Sequence, residues 1–313
     1  MKGEKMIQGL VSIAIPAYKR KWLNSAIESV LNQDYSNIEL IIVDDHSPQN
    51  LKEVVEPYLV DKRISYYHNE TNLGKESITL NWNKCIEYAR GEFFVLLCDD
   101  DIMCPTFISE MLSLSIKYGE CNVFHSRVRL VDANNGMHLN DTPQWPEYES
   151  FLQFLDNTLK GYRHHTVSEF LYRTKIIRDK GGYVVLPAGY YSDIASVLRF
   201  SEEGGICSSD KCLMTFQKSD ENISSRIDYN LAKAKAALLY YDWLISNYPI
   251  NDMEVKIEQR RDYDLCEYYM RASLEDSIRI LLMVPNSIWN LKKKIALGVK
   301  KNQTNRTSLF CKQ

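Results

Sequence analysis

The sequence lacks the cysteine spacings and long apolar runs that mark several protein classes. Its eight cysteines among 313 residues include no Cys-x-x-Cys pair, which argues against a zinc finger or a disulfide scaffold and favours a reducing cytosol. No stretch approaches 18 consecutive apolar residues, so we expect no transmembrane helix. Residues 1–9 carry charges with no long apolar core after them, so we expect no secretory signal.

Two widespread nucleotide-binding motifs are also missing. The chain contains no GxGxxG and no GxxxxGK, and Gly74-Lys75 lacks the earlier glycine of a P-loop. A dehydrogenase or a P-loop kinase is therefore a poor fit. Residues 16–20, which follow the first predicted strand, contain no glycine. A sugar-1-phosphate nucleotidyltransferase needs a glycine-rich loop there, so we set that function aside.

Acidic residues are absent from the last part of the chain. From Ser277 to Gln313 there is no Asp or Glu but there are eight Lys and Arg residues, so a net charge of −3 leaves −11 on the remainder. Residues 286–300 interleave lysines with Trp289 and aliphatic side chains. This pattern suits an interfacial helix on an anionic bilayer, and equally a helix docked on protein or a solvated face. Both interpretations stay open.

The first 110 residues alternate apolar runs with amphipathic segments. The runs Leu10–Ile15, Ile38–Val43 and Phe93–Cys98 read as buried strands, and residues 22–31 and 78–89 have helical spacing. This alternation predicts an α/β fold with a mostly parallel central sheet flanked by helices. Ligands of such sheets bind beyond the carboxyl ends of the strands.

Acidic clusters follow two of these strands. Asp99-Asp100-Asp101 comes directly after Cys98, and three adjacent carboxylates repel one another unless a cation sits among them. Mn²⁺ or Mg²⁺ takes such oxygen ligands and retains positions for phosphate. The alternative is a helix N-terminus ahead of Pro105 that favours acidic residues. Asp44-Asp45 alone reads as easily as a polar turn with an N-cap.

Taken in order, the motifs resemble glycosyltransferase family 2, whose members have the GT-A fold. The resemblance rests on segments that recur in that order between residues 10 and 225: IPAYKR, IIVDDHS, NLG, NKCIEYARGE, LCDDDIMCP, KGGY, YSD with LR, and ENIS. It implies an inverting, metal-dependent transfer from a nucleotide sugar.

The resemblance also implies roles for particular residues. Those expected to bind the nucleotide lie at strand ends and in the following loops: Pro16, Ala17, Tyr18, Asp44, Asp45, Gly74, Lys75 and Asp99. Asp45 is favoured as the acceptor of a pyrimidine N3–H, and Lys75 is expected near the diphosphate. Asp100 and Asp101 are expected to hold Mn²⁺ or Mg²⁺, and Asp193 is expected to act as the general base.

Three departures from the family pattern leave a second interpretation open. Cys98 replaces the first Asp of the commoner acidic motif, Ser192 replaces the usual Glu, and Lys218-Ser219 stands where an Arg-x-His is frequent. The alternative is a catalytically silent relative that binds only a nucleotide or a partner.

The sequence thus predicts two domains and a set of partners. We expect a GT-A catalytic domain over residues 1–225 and a helical extension, predicted as residues 228–248 and 252–284 with a basic tail, over residues 226–313. The expected partners are a nucleotide-sugar donor, with UDP favoured, and a saccharide or lipid-linked acceptor, with no nucleic acid. The expected location is the cytoplasm, at the inner face of the membrane if the tail binds lipid. The oligomeric state stays open.

Overall fold

The structure is a computed structural model that describes residues 6–222, 229–249 and 251–283. The basic tail falls outside these residues. Within them, no helix combines the length and the apolar character needed to cross a membrane.

Ten strands of the described residues form one sheet. They are β1 (Ile7–Ala17), β2 (Ile38–Asp44), β3 (Ile64–His68), β4 (Gly91–Leu96), β5 (Asp101–Met103), β6 (Val123–Asp132), β7 (His138–Asp141), β8 (Tyr148–Glu149), β9 (Phe170–Arg173) and β10 (Ile206–Lys218). The main order is β3-β2-β1-β4-β9-β6-β10-β5, with β7 beside β6 and β8 beside β10.

Strand direction divides the sheet into two parts. The four strands β3-β2-β1-β4 are parallel, whereas β9 runs antiparallel to both β4 and β6, and β10 pairs in parallel with β6 and antiparallel with β5. The register sets Ala17 of β1 opposite Asp44 of β2. The carboxyl ends of the parallel strands therefore share one edge, as the sequence predicts.

Ten helices accompany the strands in the described part of the chain. They are α1 (Leu23–Leu31), α2 (Leu51–Val55), α3 (Ile78–Tyr88), α4 (Phe107–Lys117), α5 (Phe151–Leu159), α6 (Thr174–Asp179), α7 (Ser192–Phe200), α8 (Asn230–Asn247), α9 (Asn251–Arg271) and α10 (Leu274–Met283). The predicted α/β class is confirmed.

Burial follows from the sequence pattern. Every residue of β2 is buried, as expected for a strand covered on both faces. The helix α1 buries Leu23, Ala26, Ile27 and Val30, which recur at the three- and four-residue spacing of one helix face. This packing fixes the strand ends, where the candidate site lies.

The contacts divide the described residues into two compact units. The first comprises residues 6–185 and 192–219, and contains the sheet with α1 to α7. The second comprises the helices α8 to α10 with the short segment 186–191. The sequence does not predict that segment 186–191 packs with the C-terminal helices, because it lies inside the family-like region.

Three local features differ from the sequence interpretation. The helix expected over residues 51–59 becomes α2 and a 3₁₀ turn, Glu56–Tyr58, with Pro57 inside that turn. The helix expected over residues 252–284 breaks before α10, where Ser273 Oγ accepts the N–H of Asp276 at 3.2 Å as an N-cap. The side chains of Cys121 and Cys207, which are 86 residues apart and have no sequence signature, lie in contact, with their Cα atoms 6.7 Å apart.

Candidate active site

The ends of β1 and β4 meet in a single hydrogen-bonded unit. One oxygen of Asp99 accepts the backbone N–H groups of Tyr18 and Lys19, at 2.8 and 2.6 Å. The backbone after β1 is thus fixed to the first carboxylate after β4. Burial raises the pKa of Asp99 to about 6, with Lys19 opposing the rise and the charge of Asp100 adding to it.

Lys19 supplies the positive charge at this cluster. Its ammonium contacts Asp100 and lies 3.5 Å from Asp99 Oδ1. Burial by itself lowers the pKa of Lys19, but the two carboxylates raise it above its ordinary value, so the side chain stays charged. The sequence interpretation did not single out Lys19.

Asp101 is the most enclosed carboxylate of the three. Ser168 Oγ donates to its Oδ2 at 2.5 Å, while its buried Oδ1 has no hydrogen-bond partner among the residues that the structure describes. Burial raises the pKa of Asp101 well above its usual range, and the charge of Asp100 adds to this. An unpartnered carboxylate oxygen next to a second carboxylate is a place where a cation would be stabilised.

The donor set fits a divalent cation. Cys98, Asp100 and Asp101 each offer one ligand atom, and these atoms lie within 4.8 Å of one another. Burial, with Asp101 and Asp100, raises the pKa of the Cys98 thiol, so the carboxylates are the stronger ligands for Mn²⁺ or Mg²⁺. The choice of Asp100 and Asp101 as metal ligands stays a prediction.

The carboxylates at the end of β2 hold the neighbouring loops. Asp44 accepts the N–H of Ser47 at 2.8 Å and the hydroxyl of Tyr66 at 2.6 Å, and His68 Nδ1 lies 3.2 Å away. Burial, and then hydrogen bonding to Asp44, raises the pKa of Tyr66. Asp44 thus ties β2 to β3 and to the loop after β2.

Asp45 binds the turn that contains Gly74. It accepts the side-chain N–H of Asn69 at 2.9 Å and the backbone N–H groups of Leu73 and Gly74 at 2.9 and 2.7 Å. A carboxylate has about four acceptor sites, so one stays open for the predicted N3–H contact. Lys75, in the same turn, has an exposed side chain.

The predicted residues after β1 differ in accessibility. Ala17 is fully buried in the hydrophobic core and its carbonyl accepts the N–H of Asp45 at 2.9 Å, whereas Pro16 is half-buried and Tyr18 is 41% exposed. Within this group, Tyr18 offers the ring that a base could contact. Nucleotide binding by the three residues stays a prediction.

Asp193 lies in the first turn of α7, where the helix dipole favours its charge. Its Oδ1 accepts the N–H of Ile194 at 2.9 Å. The charges of Asp101 and Asp193 both raise the pKa of the buried Glu169, after burial itself, so both carboxylates lie near Glu169. The structure therefore brings the predicted base into the region of the acidic cluster.

A buried polar group near Asp193 was missed by the sequence interpretation. Glu169 Oε2 accepts both the N–H and the hydroxyl of Thr166, at 2.8 and 2.5 Å, and His125 Nε2 lies 3.5 Å from Glu169 Oε1. Burial lowers the pKa of His125 well below its usual range, and Trp145 stacks on its ring at 3.7 Å. Glu169 directly precedes β9, and a carboxylate at a strand end is the signal by which the sequence could have identified it.

His164 and His165 are adjacent in the sequence but differ in burial. His164 is exposed, whereas the Nε2 atom of His165 is buried and, within the described part of the chain, has no hydrogen-bond partner. Burial lowers the pKa of His165, and the charge of Asp193 opposes this. His165 therefore belongs to the surroundings of the predicted base.

Comparison with known proteins identifies this architecture. Residues 12–179 match the sequence model of Glycosyl transferase family 2. The chain is 42% identical over 107 residues to the putative colanic acid biosynthesis glycosyl transferase WcaA of Escherichia coli, covering 33% of this chain and 37% of that protein. Aligned segments cover 17 to 37% of the lengths of three such curated relatives.

Two solved structures share the fold at low sequence identity. Staphylococcus aureus TarS 1–349, in complex with UDP-GlcNAc, has a TM-score of 0.56 at 16% identity, covering 88% of this chain and 83% of that one. The mannosyltransferase PcManGT from Pyrobaculum calidifontis, in complex with GDP-Man and Mn²⁺, has a TM-score of 0.57 at 11% identity, covering 95% and 83%. The predicted GT-A fold is confirmed, and the chain belongs to glycosyl transferase family 2.

Proposed function

We propose that the protein is an inverting glycosyltransferase that moves a sugar from a nucleotide-diphosphate sugar to a hydroxyl of a saccharide or lipid-linked acceptor. The observation that carries the proposal is the unit formed by Tyr18, Lys19 and Asp99 beside Asp100 and Asp101. It brings together, at the ends of β1 and β4, backbone donors, a lysine and a carboxylate oxygen that has no hydrogen-bond partner among the described residues.

The chemistry follows from the charges at this edge. Breaking the bond from the anomeric carbon to the diphosphate leaves negative charge on the diphosphate, which the Lys19 ammonium would stabilise. Asp100 and Asp101 would hold Mn²⁺ or Mg²⁺, which supplies further positive charge to the leaving diphosphate when bound. A Mn²⁺ complex of PcManGT supports a divalent metal, without deciding between the two ions.

Asp193 would take the proton of the acceptor hydroxyl. Its Oδ1 is held by the N–H of Ile194, so the carboxylate has a fixed orientation and its other oxygen would receive the proton. Attack by that hydroxyl on the side opposite the leaving diphosphate inverts the anomeric centre. The proposed donor is a UDP-sugar, supported by the UDP-GlcNAc complex of TarS.

A calorimetric titration tests the donor site. UDP, GDP, dTDP and CDP are titrated into the protein with and without Mn²⁺. We expect tight binding of one nucleotide, dependent on the metal, and loss of the metal dependence in Asp100→Asn but not in the control Asp210→Asn, whose side chain is exposed. If the folded protein bound none of the four, the proposal would be refuted in favour of a silent relative.

The cellular site forms part of the proposal. We place the protein in the cytoplasm, where nucleotide sugars are available, and at the membrane surface if the basic segment after Ser277 binds anionic lipid. The predicted domain boundary at residue 225 also stays a proposal.

A further inference from the structure

The segment just before the predicted base has a strained backbone. Ala188 and Tyr191 have φ angles of 54° and 62°, a region that L-residues other than glycine seldom adopt, and an aromatic residue less than most. Such a conformation persists only when its surroundings hold it. Tyr191 is followed by Ser192, the first residue of α7, and then by Asp193.

The C-terminal helices hold the Tyr191 side chain. Its hydroxyl donates to Asp264 Oδ2 at 2.8 Å and lies 2.8 Å from the hydroxyl of Tyr268, and its ring stacks on Tyr240 with centroids 4.9 Å apart. Since the one proton of Tyr191 goes to Asp264, Tyr268 donates to Tyr191. Both α8 and α9 therefore contact this ring.

Asp264 is the centre of the arrangement. It is only 5% exposed, and besides Tyr191 it accepts the hydroxyl of Tyr241 at 2.6 Å and is paired with Arg260 at 3.0 Å. A buried carboxylate costs free energy unless it is fully paired. Here both oxygens are used, so the group is a rigid acceptor that fixes where Tyr191 can sit.

A second contact holds the neighbouring residue. Lys233 belongs to α8 and is mostly buried. Its ammonium lies 5.1 Å from the centre of the Tyr190 ring. Segment 186–191 is thus fixed at two consecutive tyrosines. The partners of Asp264 named above are Tyr191, Tyr241 and Arg260, so an effect of Asp264 on Asp193 would pass through Tyr191 and the backbone that follows it.

We propose that Asp264, through Tyr191 and the backbone that joins Tyr191 to Ser192 and Asp193, is a positioning residue for the general base. This inference rests on the proposed function, because it takes Asp193 as the base. Asp264 then contributes to turnover through the position of Asp193.

The test compares Tyr191→Phe and Asp264→Asn with wild type and with the control Tyr263→Phe, whose side chain lies on the same helix α9 and is 63% exposed. Tyr191→Phe keeps the ring and removes only the hydroxyl. We expect kcat to fall about tenfold in both variants, with the donor KM unchanged, since a lost hydrogen bond to a charged group depopulates the aligned conformer by about that factor.

Amide hydrogen exchange gives a reading that needs no activity. We expect residues 187–196 to exchange at least about tenfold faster in Tyr191→Phe, with β1 and β2 unchanged. Unchanged exchange in both variants would show that the hydrogen bond from Tyr191 to Asp264 does not hold this segment. Faster exchange with an unchanged kcat would show that holding the segment does not position the base. If the wild-type protein transferred no sugar, the proposed function would fail, and the role of Asp264 in positioning a base would fail with it. The exchange comparison would still decide whether Asp264 holds segment 186–191 through Tyr191.

Discussion

At the residue scale, the candidate site depends on how each carboxylate is paired. Asp99 binds backbone N–H groups, Asp100 contacts Lys19, and Asp101 has one oxygen with no hydrogen-bond partner in residues 6–222, 229–249 and 251–283. Adjacent residues of one type thus have three different environments. This separation allows one carboxylate to shape the loop while its neighbours are available for a cation.

Asp193→Asn tests the base. We expect kcat to fall by 10²- to 10⁴-fold, the typical contribution of a positioned general base, because an amide cannot take the proton. The nucleotide Kd should not change, since the proposed nucleotide site lies at the ends of β1, β2 and β4. Steady-state kinetics with calorimetry measures both, with Asp210→Asn as control. A variant that kept wild-type kcat would exclude Asp193 as the base.

Glu169→Gln tests the buried carboxyl through the pH dependence of stability. Burial raises the pKa of Glu169 well above 4.5, so the folded state keeps a proton that the unfolded state loses. Wild-type stability should therefore fall as pH rises from about 4.5 towards the folded pKa, by up to about 1.4 kcal/mol per pH unit. The glutamine variant should lose less over that range.

Urea unfolding at several pH values between 4.5 and 8 measures this difference. Glu120→Gln is the matched control, because Glu120 is exposed. Parallel pH profiles for wild type and Glu169→Gln would show that Glu169 is ionised in the folded protein.

At the scale of single elements, the turn of residues 73–75 depends on Gly74 having no side chain. A Cβ at Gly74 would lie 2.9 Å from Asp45 Oδ2, closer than such atoms approach. Gly74→Ala should therefore displace the Asp45 carboxylate, cost about 1–3 kcal/mol of stability and weaken nucleotide binding. Gly119→Ala is the control, since nothing lies within 4 Å of its added Cβ. Equal midpoints and affinities for the two variants would contradict the steric argument.

The elements that sequence predicts well are those with strong local signals. The apolar runs of β1, β2 and β4 are bounded by turn residues, and the sequence locates them correctly. Because these strands are parallel, the residues that follow them lie at the same edge of the sheet. Glu169 and Lys19 were missed because their roles depend on partners at the ends of other strands. The partners of Tyr191 were unpredictable for the same reason, since Asp264 lies 73 residues later.

At the scale of the whole molecule, charge is the feature that sequence alone establishes. The acidic body and the basic end after Ser277 suit attachment to an anionic bilayer. Replacing Lys292, Lys293 and Lys294 with Gln should weaken binding to phosphatidylserine vesicles about a hundredfold, at roughly 1 kcal/mol per lysine. Vesicle sedimentation measures this.

A matched control separates the effect of the tail lysines from the effect of net charge. Replacing the exposed Lys62, Lys160 and Lys175 with Gln changes the net charge equally and should leave vesicle binding almost unchanged. Equal losses in both triple variants would show that the tail has no special part in binding.

The pairing of β5 has a consequence for the order in which the protein folds. β5 begins at Asp101 and pairs with residues 214–216 of β10, and the side chain of Gln217 donates to the carbonyl of Asp100 at 2.7 Å. During synthesis, these partners emerge more than a hundred residues after the acidic cluster. The nascent chain therefore carries the carboxylates well before it can fix their backbone, and a productive site arises only after residues 214–217 have been synthesised.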